Sequence, residues 1–503
     1  MASLFHLFFL LSLSLSLSLS LSLALCRVKD PSESPGTTTT LDVTAALRKT
    51  TQALAFDPPR AHRQLLHKAI KTTTLRSSAS TATLSLHIYS RDFLPLPDFT
   101  TTHKDYESLT LARLRRDFDR VRSIFARAAI AINGSDSKAA KAAAMPDSIR
   151  GTIVSGSSQG IGEYFSRVGI GRPAKPQFMV LDTGSDVSWV QCLPCTDCYK
   201  QADPIYDPTG SDTYTPLRCF SELCLSATNS ACRNATCHYQ VVYGDGSFSI
   251  GELAAETLTI GDAAPVENVA MGCGFDNEGT FVAAGGLLAL GAGTLSFPSH
   301  LPSHSFTYCL VDRDTPGTSI IDFGPPTAQP EASTITTKLL RSKKIQTFYY
   351  LELTGISVGG TKLAIPPSAL AMDSDGSGGV ILDTGTAVSR LNKQVYEPLR
   401  EAFVNGTRHL SPGTGPGIFD TCYNMPPMKR VQVPSVVFHF GEGKELRLRP
   451  NNFLMPVDSK GNFCLAFAKT PSPLNIIGNV QHQRMRVVID MENSIVSFTP
   501  NKC

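Results

Sequence analysis

Two stretches of this 503-residue chain nearly repeat one another: VLDTGSDVSWV at 180–190 and ILDTGTAVSRL at 381–391. In each, an apolar run leads into Asp-Thr-Gly-Ser/Thr, and a second strand-like run follows. The two aspartates, Asp182 and Asp383, lie 201 residues apart. An apolar pair and a small residue come after each: Leu287-Leu288-Ala289, then Ile476-Ile477-Gly478. The same order at similar spacing predicts two lobes of one design, related by an internal two-fold that brings the Asp-Thr-Gly loops together.

The texture around the repeats sets the fold class. From about residue 155, short β-branched and aromatic runs such as QFMVLDTG, HYQVVYGDGS and PSVVFHF alternate with Gly, Pro, Asn and Asp turns. RVVIDMENSIVSF reads as a hairpin turning near Glu492-Asn493, and QVYEPLREAFVN is one of few helix candidates. The expectation is an all-β protein. Hydrophobic residues are 42% and charged residues 18%, which excludes pervasive disorder. A net charge of +3 gives no footprint for nucleic acid.

The N-terminal third differs. Residues 1–26, rich in Leu, Phe and Ser and without charge, read as a signal peptide, with an uncleaved anchor as the alternative. Residues 27–150 hold 20 Lys and Arg against 12 Asp and Glu; residues 151–503 hold 26 against 31. A basic segment thus precedes an acidic body. Residues 27–105, rich in Thr, Ser and Pro, read as poorly ordered. The stretch 107–131 reads as an amphipathic basic helix. Its apolar face is expected to be Leu111, Leu114, Phe118, Val121, Ile124 and Phe125, with Arg and Asp opposite. An accessible linker follows at 134–150.

Cys26 lies at the end of the leader. The other twelve cysteines are Cys192, Cys195, Cys198, Cys219, Cys224, Cys232, Cys237, Cys273, Cys309, Cys422, Cys464 and Cys503. An even number in a chain with a leader points to disulfides, although close Cys-x-x-Cys spacing also suits zinc. Connectivity is not readable from spacing. Sequons at Asn133, Asn234 and Asn405 are candidate glycosylation sites. His238, His439 and His482 accompany no Ser or Cys motif, and Asp373-Ser-Asp375-Gly-Ser-Gly lacks the glutamate of a calcium loop. No metal and no cofactor is expected.

One Asp-Thr-Gly is a common turn, but two in matching apolar flanks are a constellation. Apolar residues carry each aspartate inward, where a carboxylate is costly unless its charge is shared. Two adjacent carboxylates retain one proton between them, so one pKa rises. The ionised member can take a proton from water while the protonated one polarises a peptide carbonyl. Gly184 and Gly385 permit close backbone approach and offer amides. Ser185 and Thr386 can bond the outer carboxylate oxygens, and Thr183 and Thr384 can brace the loops.

Here the chain resembles the pepsin-like aspartic proteases over residues 155–503. Within them it is most similar to the plant nepenthesin-like branch, through the Cys-rich insertion 192–237, the SGSSQGIGEYFSRVGIG stretch and the terminal Asn-Lys-Cys503. No saposin-like insert is present. The resemblance implies a bilobal fold of two β-barrel-like lobes with the active site in the cleft. The N-terminal lobe would span 155–330 and the C-terminal lobe 340–503. Asp182 and Asp383 would be catalytic. Tyr243, Gly244 and Asp245 would form a flap with Trp189 behind Tyr243, and Cys422 would pair with Cys464. The partners implied are peptide or protein substrates. The basic segment 27–150 would be a prosegment inhibiting its own chain, cut within about 134–155. The mature protein would be a monomer of the secretory pathway with no membrane span; reticulum, extracellular space and vacuole are not distinguished. Where the family usually has Gly, this chain has Ala289. The competing readings are a catalytically weak or inactive binding or inhibitor protein of the same fold, and a storage glycoprotein.

Overall fold

The computed structural model describes residues 37–61, 84–99, 102–133, 163–243, 246–279, 281–326, 330–374, 376–427 and 430–503. The leader with Cys26, the stretch expected to hold the cleavage point, Gly244, Asp245 and Asp375 lie outside the described residues.

The repeat is visible in strand register. Lys175–Asp182 runs parallel to Gly286–Ala289, with Leu181 opposite Leu288. In the second half, Val380–Leu382 runs parallel to Asn475–Ile477, with Leu382 opposite Ile477. The strand beyond each loop follows the same plan. Trp189–Gln191 lies antiparallel to Gly286–Ala289 and parallel to Val266–Glu278. Ser389–Asn392 lies antiparallel to Asn475–Ile477 and parallel to Phe467–Thr470. These inner strands are buried on both faces, which is why their sequences read as unbroken apolar runs.

A six-stranded antiparallel sheet underlies both halves. Its order is Leu84–Ser90, Ser319–Phe323, Ser305–Cys309, Met485–Asp490, Ile495–Pro500 and Ile335–Leu340. The last hairpin is the one expected from the sequence. Helix Lys393–Gly406 is the expected helix; Asn392 caps it by accepting the Val395 amide.

The described parts of residues 27–105 differ from expectation. They include strand β1 (Thr38–Asp42), helix α1 (Val43–Leu54) and strand β2 (Leu84–Ser90), followed by the long helix α2 (Tyr106–Asn133). Local composition hides these elements because their order comes from pairing. Strand β1 adds to Arg430–Pro434 in the second half. Strand β2 is the edge of the six-stranded sheet and also touches Tyr164–Ile170.

Helix α2 corrects the amphipathic reading too. Leu114, Val121 and Ile124 are buried, but Leu111 and Phe118 are 40% and 59% exposed. The face turned inward carries Arg113, Arg116, Asp117 and Arg120, all nearly inaccessible. The surface beneath is mixed: Leu114 packs into one apolar cluster and Val121, Ile124 and Phe125 against another, as expected, while the charged residues between them meet charged partners.

Candidate active site

The two Asp-Thr-Gly loops meet. The Thr183 hydroxyl lies 3.1 Å from that of Thr384 and accepts the Thr384 amide at 3.2 Å. It also donates to Asp383 Oδ1 at 3.1 Å. Asp182 Oδ1 accepts the Gly184 amide at 2.9 Å, and Ser185 donates its hydroxyl to Oδ2. In the second loop the amide and hydroxyl of Thr386 both reach Asp383 Oδ2 at 2.7 Å. The amide donor there is thus Thr386, where Gly385 was expected. Asp182 and Asp383 are 3% and 2% exposed.

Between them lies Arg120 of α2. One of its terminal nitrogens is 2.6 Å from Asp182 Oδ1 and 2.6 Å from Asp383 Oδ1, and its Nε donates to Asp383 Oδ2 at 3.0 Å. The loop glycines make this approach possible. A methyl on Gly385 would come within 2.8 Å of the Arg120 Nε, and one on Gly184 would strike the guanidinium as well. Arg127, one helical stretch on, donates to the Gly184 carbonyl.

The guanidinium alters the proton balance expected for a carboxylate pair. Burial pushes Asp182 upward, but Arg120, with Arg127 behind it, outweighs burial and holds the carboxyl below its ordinary value. Burial acts the same way on Asp383, and the charge and hydrogen bonds of Arg120 overcome it more strongly. The expectation that one pKa rises is therefore corrected for this state. A buried cation, rather than a shared proton, favours the charged form of both carboxyls.

Other ion pairs extend the contact along α2. Arg113 meets Asp92 at 2.6 Å and Asp314 at 2.7 Å; Arg116 meets Glu163 at 2.7 Å and Asp92 at 3.0 Å. Tyr106 donates to Asp314 at 2.8 Å. One pair runs the opposite way: Asp117 of the helix meets Arg390 at 2.5 Å and accepts the Ala387 amide at 2.6 Å. None of these partners was singled out from the sequence. The signal available was the basic charge of the segment, which gives sign but not address.

Trp189 is fully buried and donates its indole N–H to the Tyr243 hydroxyl at 2.8 Å. Tyr243 directly follows the strand Thr236–Val242, and the chain returns as Phe248–Thr259, so it stands at a hairpin tip. Ala289 is fully buried in the apolar cluster that includes Trp189, Leu287 and Leu295. Its amide bonds to Ser188 Oγ at 3.0 Å, as the Gly478 amide bonds to Ser389 Oγ at 2.9 Å.

The twelve cysteines form six disulfides: Cys192–Cys273, Cys195–Cys198, Cys219–Cys232, Cys224–Cys237, Cys309–Cys503 and Cys422–Cys464. This is the chemistry of an oxidising, secretory-pathway setting. Among the described residues, no helix is long and apolar enough to cross a membrane. Asn234 and Asn405 are exposed; Asn133 is the last residue of α2.

Comparison with known proteins assigns the family. The family model described as "Xylanase inhibitor N-terminal" matches residues 164–325, and "Xylanase inhibitor C-terminal" matches 348–500. The chain is 42% identical over 430 residues to Protein ASPARTIC PROTEASE IN GUARD CELL 2 of Arabidopsis thaliana, covering 85% of this chain and 89% of that one. The chain belongs to the plant pepsin-like aspartic proteases. Within that family it is also 39% identical over 348 residues to aspartic proteinase nepenthesin-1 of Nepenthes gracilis, covering 68% and 79% of the two chains. The solved structure described as "Crystal structure of edgp" shares the pepsin-like aspartic protease fold at a TM-score of 0.55 and 20% identity, covering 67% and 91% of the two chains.

Proposed function

We propose that the protein is an aspartic endopeptidase of the secretory pathway, made as a zymogen and active at acid pH. The observation that carries this is the meeting of Asp182 and Asp383 on one guanidinium, each aspartate taking at Oδ2 the hydroxyl three residues on. Once Arg120 withdraws, two buried carboxylates face each other without a cation and must share a proton. A water between them loses a proton to the ionised member as it attacks the peptide carbonyl, which the protonated member polarises. Tyr243, held by Trp189, would close over the peptide. Residues 27–150 act as the inhibitor until low pH protonates the carboxylates gripping α2.

The test is peptide and casein hydrolysis by the acid-processed protein across pH 3–7. Asp182→Asn and Asp383→Asn should each cost at least about 10³-fold, within the range general acid–base groups supply. A second reading, a binding or inhibitor protein, takes support from the inhibitor names of the two matching family models. A folded, processed wild type that cleaves no peptide would favour it.

A further inference from the structure

Trp189 and Arg390 each lie seven residues beyond their lobe's aspartate. They hold matching places, Trp189 opposite Leu287 and Arg390 opposite Ile476 on the inner strands. In the first lobe that place supports the hairpin through the Trp189–Tyr243 bond. In the second it holds a guanidinium that is 4% exposed. Arg390 spends one nitrogen on the Val388 carbonyl at 2.5 Å and the other on Asp117 Oδ2 at 2.5 Å. Asp117 Oδ1 takes the Ala387 amide at 2.6 Å. Among the described residues Asp117 is the sole ion-pair partner of Arg390.

We propose that Arg390 and the Ala387 amide form a carboxylate-binding subsite of the mature cleft, which selects peptides bearing Asp or Glu near the scissile bond. The inference rests on the protease reading above. Asp117 is the occupant of that subsite while the helix is docked. When α2 leaves, Arg390 loses its counter-ion but keeps its bond to the Val388 carbonyl, an arrangement that favours a replacement carboxylate over an apolar side chain. Spacing places the position. Asp117 precedes Arg120, which sits on the dyad, by three helical residues, a rise of about 4.5 Å. An extended peptide advances about 3.3 Å per residue. The acidic side chain therefore belongs one or two residues from the bond that is cut.

The test uses the acid-processed full-length protein and a peptide it cleaves, with Gln or Glu placed in turn at each position within four residues of the scissile bond. At one position, one or two residues away, Glu should raise kcat/KM about tenfold over Gln at pH 6, mainly through KM. That ratio should shrink towards pH 3 as the peptide carboxyl, with its pKa of about 4.3, takes up a proton. In the paired variant Asp117→Asn with Arg390→Gln, which keeps the buried contact neutral, the ratio should fall to about one. Arg390→Lys, which keeps the charge but not the fork, should give an intermediate ratio. A wild-type ratio near one at every position overturns the subsite while leaving the protease intact, as does a ratio unchanged in the paired variant. Cleavage of no peptide at all overturns the protease reading itself.

Discussion

Arg120 grips Asp383 with two prongs, Nε at 3.0 Å from Oδ2 and a terminal nitrogen at 2.6 Å from Oδ1, while that same nitrogen reaches Asp182. All three groups are buried. Removing one partner of such a cluster costs about 3–5 kcal/mol, because the rest is left charged and dry. Arg120→Gln should therefore loosen α2 and shift self-processing towards neutral pH. A processing time course between pH 3 and 7 checks this; an unchanged pH dependence would mean that the flanking ion pairs alone hold the helix.

The sign of the acid response follows from the carboxylates. Against the pull of burial, Arg120 holds Asp182 and Asp383 low, and Arg313 with Arg113 holds Asp314 low. A group depressed in the docked state stabilises docking above its undocked pKa, roughly 4 for Asp314 and higher for the dyad member that takes the shared proton, and withdraws that support as pH falls towards the docked value. Protection of the amides in 106–133, taken relative to their intrinsic exchange rates, should thus be high at pH 7 and should fall as the pH drops to about 4 and below. Equal protection at both pH values would contradict this.

Tyr243→Phe removes the acceptor of the Trp189 indole N–H. A buried donor left without a partner costs about 1–3 kcal/mol. The variant should melt several degrees lower, a shift readable by calorimetry, and should lose peptide affinity if the hairpin lies over substrate.

Ala289 and Gly478 hold equivalent places but tolerate opposite changes. A methyl on Gly478 would come within 2.6 Å of the Ala387 carbonyl and 2.9 Å of the Thr386 carbonyl, both backbone atoms of the second aspartate loop. Gly478→Ala should cost about 1–3 kcal/mol and weaken hydrolysis, since the loop must move. Ala289→Gly deletes one buried methyl and should cost about 1 kcal/mol. Thermal melts of the two variants would test the ordering.

Much of this was legible in the sequence because repetition carries geometry. The paired Asp-Thr-Gly runs imply the two-fold, and the apolar triads after them pair in the implied register. What stayed hidden was contact between parts distant in the chain. Nothing near Thr38–Asp42 says that it will find Arg430–Pro434. Nothing in α2 says that its charged face turns inward, since Leu111 and Phe118 look apolar until the cleft supplies better partners for Arg113 and Arg120. Arg390 was in plain view, at the position where the repeats swap an indole for a guanidinium, yet its meaning depends on Asp117.

The N-terminal segment is tied down at three separate places: β1 on the second half, β2 along the six-stranded sheet, and α2 across the dyad. None of these ties depends on the peptide chain being continuous beyond residue 133. Severing the backbone there would leave the segment seated, a two-chain complex still locked by hydrogen bonds and ion pairs. On the zymogen reading proposed above, scission and awakening would then be separate events, the second keeping its own clock, set by acid and not by the cut.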